Sequence, residues 1–156
     1  MMRPDDAETY RRYAAELVRF AAVLVGPSSA EDVFSTAVLR AFTAPQWPEV
    51  DGRRAYLYRT VFNEAWRLRR ATQRRLNREV RSATADPHRH SRDGCGLDAD
   101  IVDAIRQLDV RERAVIYFTY WVDLAPSTIA ATLEVSQRTV ERALSDARRK
   151  LEDLLS

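Results

Sequence analysis

A chain of 156 residues, 46% hydrophobic and 31% charged, has the apolar mass for real cores, in one domain or two small ones, and is neither disordered nor fibrous. No apolar run approaches the roughly 20 residues that span a bilayer, and the opening MMRPDDAETYRRYAAEL carries acids where a secretion signal has an apolar stretch, so a cytosolic protein without membrane insertion is expected. Cys95 is the single cysteine, which excludes an intrachain disulfide framework and a thiolate zinc cluster. The net charge of +2 conceals its distribution: residues 53–81 hold ten basic against two acidic side chains, 1–52 five against eight, and 82–156 ten against thirteen. A basic block beside helical patterning is the electrostatic footprint of phosphate contact, while a solvated basic helix is the plainer meaning of the same run.

Gly and Pro are scarce and apolar residues recur at helical spacing nearly everywhere, so an all-α fold is predicted. Tyr10, Tyr13, Leu17, Phe20, Ala21 and Leu24 mark a first helix that stops at Gly26 and Pro27. A second helix has Ser29 as its cap, Glu31 and Asp32 in its first turn, and Phe34, Ala37, Val38 and Ala41 as its buried stripe. Asp32, Ser35, Thr36 and Arg40 are left on or near its exposed side. TAPQWPEVDG reads as a loop, because two prolines and a glycine exclude regular helix.

The third helix, from about Arg53 to Arg75, carries two faces. Leu57, Val61, Ala65 and Leu68 turn to the core, while Arg59, Asn63, Trp66, Arg67 and Arg70 share a second face. Arg suits phosphate, an indole offers a stacking platform for unpaired bases, and Asn can read a base edge with one donor and one acceptor. The plainer reading makes Trp66 partly buried core and the arginines solvated. The stretch NREVRSATADPHRHSRDGCG then loses periodicity and reads as a flexible linker. Two small helical domains follow, over residues 1–76 and 98–156, joined by a linker over 77–97.

Past the linker, Leu97, Ile101, Ile105 and Leu108 form a helix, and Asp109 with Glu112 makes a capping box that opens VRERAVIYFTYWV. APSTIAATL is a short helix with Pro126 in its first turn and Ile129, Ala130 and Leu133 facing inward. In LEVSQRTVERALSDARRKLEDLL, Ser136 caps a last helix whose stripe is Val140, Leu144, Ala147, Leu151 and Leu154. Gln137, Arg138, Glu141, Arg142 and Ser145 share the opposite face. Two short helices across a tight polar turn form a helix-turn-helix, whose second helix enters a DNA major groove N-terminus first. A helical hairpin with a solvated charged face is the alternative. Arg148, Arg149 and Lys150 lie two turns further on, where phosphate contact or solvation is expected.

The order of parts resembles that of an extracytoplasmic-function sigma factor, the minimal two-domain promoter-recognition subunit of bacterial RNA polymerase. YRRYAAELVRFAAVLVGPSSAEDVFSTAVLRAF is similar to the family's polymerase-binding first half, and RRAYLYRTVFNEAWRLRR to its segment for the minus 10 element. LDVRERAVIYFTYWVDLAPSTIAATLEVSQRTVERALSDARRKL is similar to its minus 35 domain. The resemblance implies core RNA polymerase and promoter DNA as partners and an anti-sigma factor as the control. It places Glu31, Asp32 and Ser35 toward polymerase and Arg59, Asn63, Trp66, Arg67 and Arg70 at minus 10, with Asn63 where the family reads an unstacked base. It places Ser136, Gln137, Arg138, Thr139, Glu141, Arg142, Arg148 and Arg149 at minus 35.

The chain departs from the family pattern at Ser35 and Thr36, where Gln and then an acid or Thr are usual. It departs again at Glu134, in a turn that usually holds glycine, and at Ala125, where a hydroxyl cap is usual. The chain closes just after the recognition helix, so no appended regulatory domain is expected. A stand-alone helix-turn-helix regulator would need neither the polymerase surface nor the Arg59, Asn63, Trp66 face, and a decoy for polymerase or an anti-sigma factor would need neither DNA face. An enzyme would have to use His88, His90 and Cys95, which lie in the linker without the rigid surroundings that ligands or nucleophiles require. No catalysis, metal or cofactor is expected.

Overall fold

The computed structural model describes residues 3–80 and 99–156. Among them run seven helices and no strand: α1 (Pro4–Val25), α2 (Pro27–Thr43), α3 (Arg53–Val80), α4 (Ala99–Arg106), α5 (Val110–Tyr120), α6 (Pro126–Leu133) and α7 (Gln137–Leu155), with a 3-10 turn at Trp47–Glu49. His88, His90 and Cys95 lie outside the described residues.

Helices α1, α2 and α3 pack against one another around Leu17, Phe20, Leu24, Val33, Phe34, Ala37, Leu57 and Val61, all buried. Gly26 (φ 86°, ψ 160°) ends α1 and precedes α2, a positive φ that glycine adopts without a Cβ penalty. Ser29 is therefore not the cap. Pro27 is suited to the first helical position, so α2 begins ahead of Ser29 and no side chain caps it. Tyr10 is 44% exposed and lies over Phe34 at 5.5 Å rather than within the core.

The predicted loop after α2 supplies a core residue. Trp47 is fully buried, its indole N–H donates to Oδ1 of the equally buried Asp6 at 2.8 Å, and its ring meets Phe42 and Tyr56. Helix α3 continues past Arg75 to Val80, so residues 77–80 are helical where linker was expected. The periodicity disappears there because side chains 73–79 are all exposed, while Gln, Arg and Leu sustain helix by propensity alone.

In the second half the Asp109–Glu112 capping box closes in both directions, at 2.7 and 3.0 Å. Glu112 is 4% exposed and accepts from Lys150 Nζ at 2.8 Å, which ties α5 to α7. Ser136 Oγ accepts from the Thr139 N–H at 3.1 Å, capping α7 as expected. Val140, Leu144 and Ala147 are buried, Leu151 is half-buried and Leu154 is exposed, so the apolar stripe runs out before the helix does. Glu134 occupies the turn of the helix-turn-helix in the left-handed region (φ 56°, ψ 46°), where any side chain is strained.

The two halves share one apolar cluster. Phe20 of α1 lies 5.0 Å from Tyr58 of α3, 5.0 Å from Tyr117 and 4.9 Å from Phe118 of α5, and Tyr58 meets Phe118 edge-on at 5.1 Å. Each such aromatic pair adds about 0.5–1.5 kcal/mol beyond the area it buries. Arg113 of α5 is 3% exposed and donates to three carbonyls: Leu108 at 2.9 Å, Arg106 at 2.6 Å and, across to α1, Leu24 at 2.8 Å. Leu24 lies in the last turn of α1, where a carbonyl lacks an intrahelical donor and the helix dipole favours a cation. Burial, with Arg69 and Arg106 nearby, pushes the Arg113 pKa down to about 10, so the group stays charged at neutral pH.

Candidate nucleic-acid interface

Helix α3 is held at its root by a polar network. Arg54 donates to Glu16 of α1 at 2.9 and 3.1 Å, and the Tyr58 hydroxyl donates to the same carboxylate at 2.5 Å. Burial acts to raise the Glu16 pKa, but the bonds from Arg54 and Tyr58 outweigh it and hold the group below the usual carboxylate range. Burial and the bond to Glu16 push the Tyr58 phenol strongly upward, so it is a permanent donor. These contacts fix the rotation of α3, with Leu57, Val61 and Ala65 buried and Leu68 half-buried.

Of the second α3 face, Asn63, Arg67 and Arg70 are exposed, and Arg59 and Trp66 are half-covered. Arg67 pairs with Glu64 at 2.7 Å, and Arg40 of α2 reaches the same carboxylate oxygen at 2.7 Å. Arg59 lies over the Tyr56 ring at 4.9 Å and donates through Nη1 to Oε1 of Glu134. Trp66 packs near Phe62 at 6.2 Å, and the Arg111 guanidinium of α5 lies over its ring at 5.3 Å. The five residues do share a surface, and its partial cover comes from the second half of the chain.

On α7, Gln137, Arg138, Glu141, Arg142 and Ser145 are exposed and Thr139 is half-buried, while Val140, Ala143 and Leu144 face inward. Gln137 Nε2 donates to Glu141 at 3.1 Å, which pre-orders two groups of the polar face. Arg138, Thr139 and Arg142 join Asp109, Arg111, Glu112, Ser136, Ala143 and Asp146 around a concavity of about 370 Å³ beside the starts of α5 and α7. Arg148 donates to the Tyr120 hydroxyl at 2.9 Å, and Arg149 pairs with Asp146 at 3.1 Å. On α2, Glu31, Asp32, Ser35 and Thr36 are exposed, together with Leu39 at 66% and Arg40. Among the described residues no group of acids or histidines is arranged to hold a metal, and no helix is long and apolar enough to cross a membrane.

Sequence reasoning missed Arg111, Arg113 and the partner of Glu134. Arg111 and Arg113 stood in view as the two arginines of RERAV, but no local pattern says that one covers a tryptophan and the other caps a distant helix. A helix-turn-helix with its polar helix face open lies beside a basic, aromatic-bearing helix, which is the surface chemistry of a DNA-binding protein. Residues 98–151 match the family model for Sigma-70, region 4.

The chain is similar to the RNA polymerase sigma-E factor of Streptomyces coelicolor, 28% identical over 89% of this chain and 79% of that one. It is similar also to the RNA polymerase sigma-E factor of Streptomyces avermitilis, 29% identical over 87% and 79%. Its fold matches the sigma factor RpoE of Bartonella quintana, solved with the anti-sigma factor NepR, with a TM-score of 0.74 at 20% identity over 97% and 96% of the two chains. CnrH, solved with the cytosolic domain of CnrY, matches with a TM-score of 0.61 at 24% identity over 96% and 86%. Residues 98–151 thus carry Sigma-70, region 4, and over most of its length the chain is similar in sequence to RNA polymerase sigma-E factors.

Proposed function

We propose that this chain is an extracytoplasmic-function sigma factor that directs initiation through three separate surfaces. The exposed Glu31, Asp32 and Ser35 face of α2 meets core RNA polymerase. The Arg59, Asn63, Trp66, Arg67 and Arg70 face of α3 captures the minus 10 strand as the duplex melts, with Asn63 reading an unpaired base, Trp66 stacking and the arginines holding phosphate. The Ser136-capped start of α7 reads the minus 35 duplex through Gln137, Arg138, Thr139, Glu141 and Arg142, and Arg148 and Arg149 lie along the backbone. The division into domains at 1–76 and 98–156 follows the same split of tasks. The protein acts in the cytoplasm as a non-enzymatic initiation factor and is controlled by a separate anti-sigma protein.

The observation that carries this reading is the sidedness of α7: its long polar residues are exposed from the first turn while Val140, Ala143, Leu144 and Ala147 are buried, so the helix presents its start and polar side outward. Reconstitution with core polymerase on genomic promoter fragments tests it. The chain should direct initiation at a defined set of promoters, and Asn63→Ala should lower open-complex formation by about 1–3 kcal/mol at one minus 10 position. Tight, sequence-specific duplex binding by the isolated chain, without stimulation by polymerase, would point to a stand-alone regulator instead.

A further inference from the structure

The polar side of α7 carries two rows of exposed side chains at one-turn spacing: Arg138 and Arg142 in one, Gln137, Glu141 and Ser145 in the other. The second row holds a carboxylate that no cation neutralises. Glu141 accepts from Gln137 Nε2 at 3.1 Å, and among the described residues no basic side chain pairs with it, although Arg138 precedes it by three positions and Arg142 follows it directly. Nearby acids behave otherwise: Asp146 pairs with Arg149 at 3.1 Å and Glu112 with Lys150 at 2.8 Å. The residues one turn to either side of Glu141 are an amide and a hydroxyl, so no ion pair at that spacing is available to it. An unneutralised acid on a surface that meets phosphate repels every duplex alike, and only a donor on the ligand offsets that repulsion.

We propose that Glu141 selects cytosine at one minus 35 position through the base's amino group, and that Gln137 is the positioning residue that holds its carboxylate. This inference rests on the reading of α7 as the minus 35 helix. In the major groove cytosine offers its N4 amino donor, guanine the N7 and O6 acceptors, and thymine the O4 acceptor and a methyl group. A carboxylate has acceptors only, so it bonds the cytosine edge and is left desolvated and unpaired against guanine or thymine. Adenine comes second, since its N6 donor lies beside an N7 acceptor that faces the same carboxylate. The bond from Gln137 occupies Oε1 and leaves Oε2 without a protein partner. Gln137 thereby orders a flexible side chain before the duplex arrives and leaves its charge intact, which an arginine in the same place would cancel. Glu141 then discriminates by rejecting wrong bases more than by adding affinity for the right one.

The test uses the full chain with core polymerase and a promoter duplex randomised across the minus 35 region, with the bound fraction sequenced. The wild type should fix cytosine at one position, about fivefold or more over guanine or thymine, the least that a mismatched base pair gives. Glu141→Gln keeps the shape of an exposed side chain and should move that position from cytosine to adenine, because an amide bonds adenine N6 and N7 together. Glu141→Ala should flatten that position alone and raise retention of sequences without the cytosine about twofold at low salt, where the lost repulsion counts most. Gln137→Ala should keep cytosine preferred at the same position with discrimination reduced about twofold to fivefold, the worth of ordering one side chain. Flattening of a different position in Gln137→Ala would make Gln137 a reader in its own right and overturn its positioning role. Glu141 variants that leave every position as in the wild type, or that weaken all sequences alike, overturn the selection of cytosine. Arg138→Ala separates the two levels of the argument. A preference lost at another position in Arg138→Ala, with the Glu141 variants silent, sinks this proposal alone. A wild-type selection with no preferred base at any minus 35 position removes α7 as the reading helix and the proposal with it.

Discussion

Arg113 offers the sharpest test of how the two halves are held. Its guanidinium is buried, with the Asp109 charge acting to favour its cationic form, and its bonds to Leu108, Arg106 and Leu24 all run to main-chain carbonyls. Arg113→Ala orphans three acceptors, each costing about 1–3 kcal/mol if left dry. Part of that is offset, because the variant no longer buries a charge and the vacated space can admit water to some of the carbonyls. The net cost should fall near 3 kcal/mol, within the range for breaking a buried charged network. Arg113→Lys should recover only part of it, since one ammonium on a narrower stem cannot reach three carbonyls that a planar fork reaches together. Guanidinium chloride unfolding followed by circular dichroism reads both values. A loss below about 0.5 kcal/mol for Arg113→Ala would place the residue among ordinary surface substitutions and refute the capping argument.

At minus 35, Arg138→Ala should cost about 1–3 kcal/mol at one base pair and flatten discrimination there. Neutralising Arg148 and Arg149 together should weaken all promoters alike and reduce the salt slope by roughly one ion per lost contact, less where Tyr120 and Asp146 already hold these side chains. Reconstituted polymerase on promoter variants across a salt series distinguishes the two patterns. Reversing Glu31 and Asp32 to Lys should abolish co-purification with core polymerase and leave the thermal midpoint within a degree or two, since both are exposed on α2. The Glu16 pKa lies below its usual 4.5, so the stability it contributes is present above that value and is lost as pH falls through the depressed one. Because the carboxylate is partly exposed, the acid-dependent part should stay below about 1 kcal/mol, and Glu16→Gln should remove it from a plot of unfolding midpoint against pH.

The helices, their caps and the sidedness of α3 and α7 were legible in the residues because they depend on neighbours a few positions apart. The stripes Phe34, Ala37, Val38, Ala41 and Leu57, Val61, Ala65 repeat at the helical period, and the Asp109–Glu112 and Ser136–Thr139 caps lie within one turn. The open polar side of α7 follows from the same period, since burying Val140, Leu144 and Ala147 leaves Arg138, Glu141 and Arg142 outside. The start of α2 was misread because Gly26 and Pro27 set it without any capping side chain, and the end of α3 because a helix that buries nothing shows no stripe. The burial of Trp47 against Asp6, the bond from Arg113 to Leu24, the shared cluster around Phe20, and the cover of Arg59 and Trp66 by Glu134 and Arg111 were decided only in three dimensions. Each joins residues dozens of positions apart, and such a pairing depends on how whole helices cross. A periodic pattern reports that a face must be covered; what covers it is settled by the packing of the assembled chain.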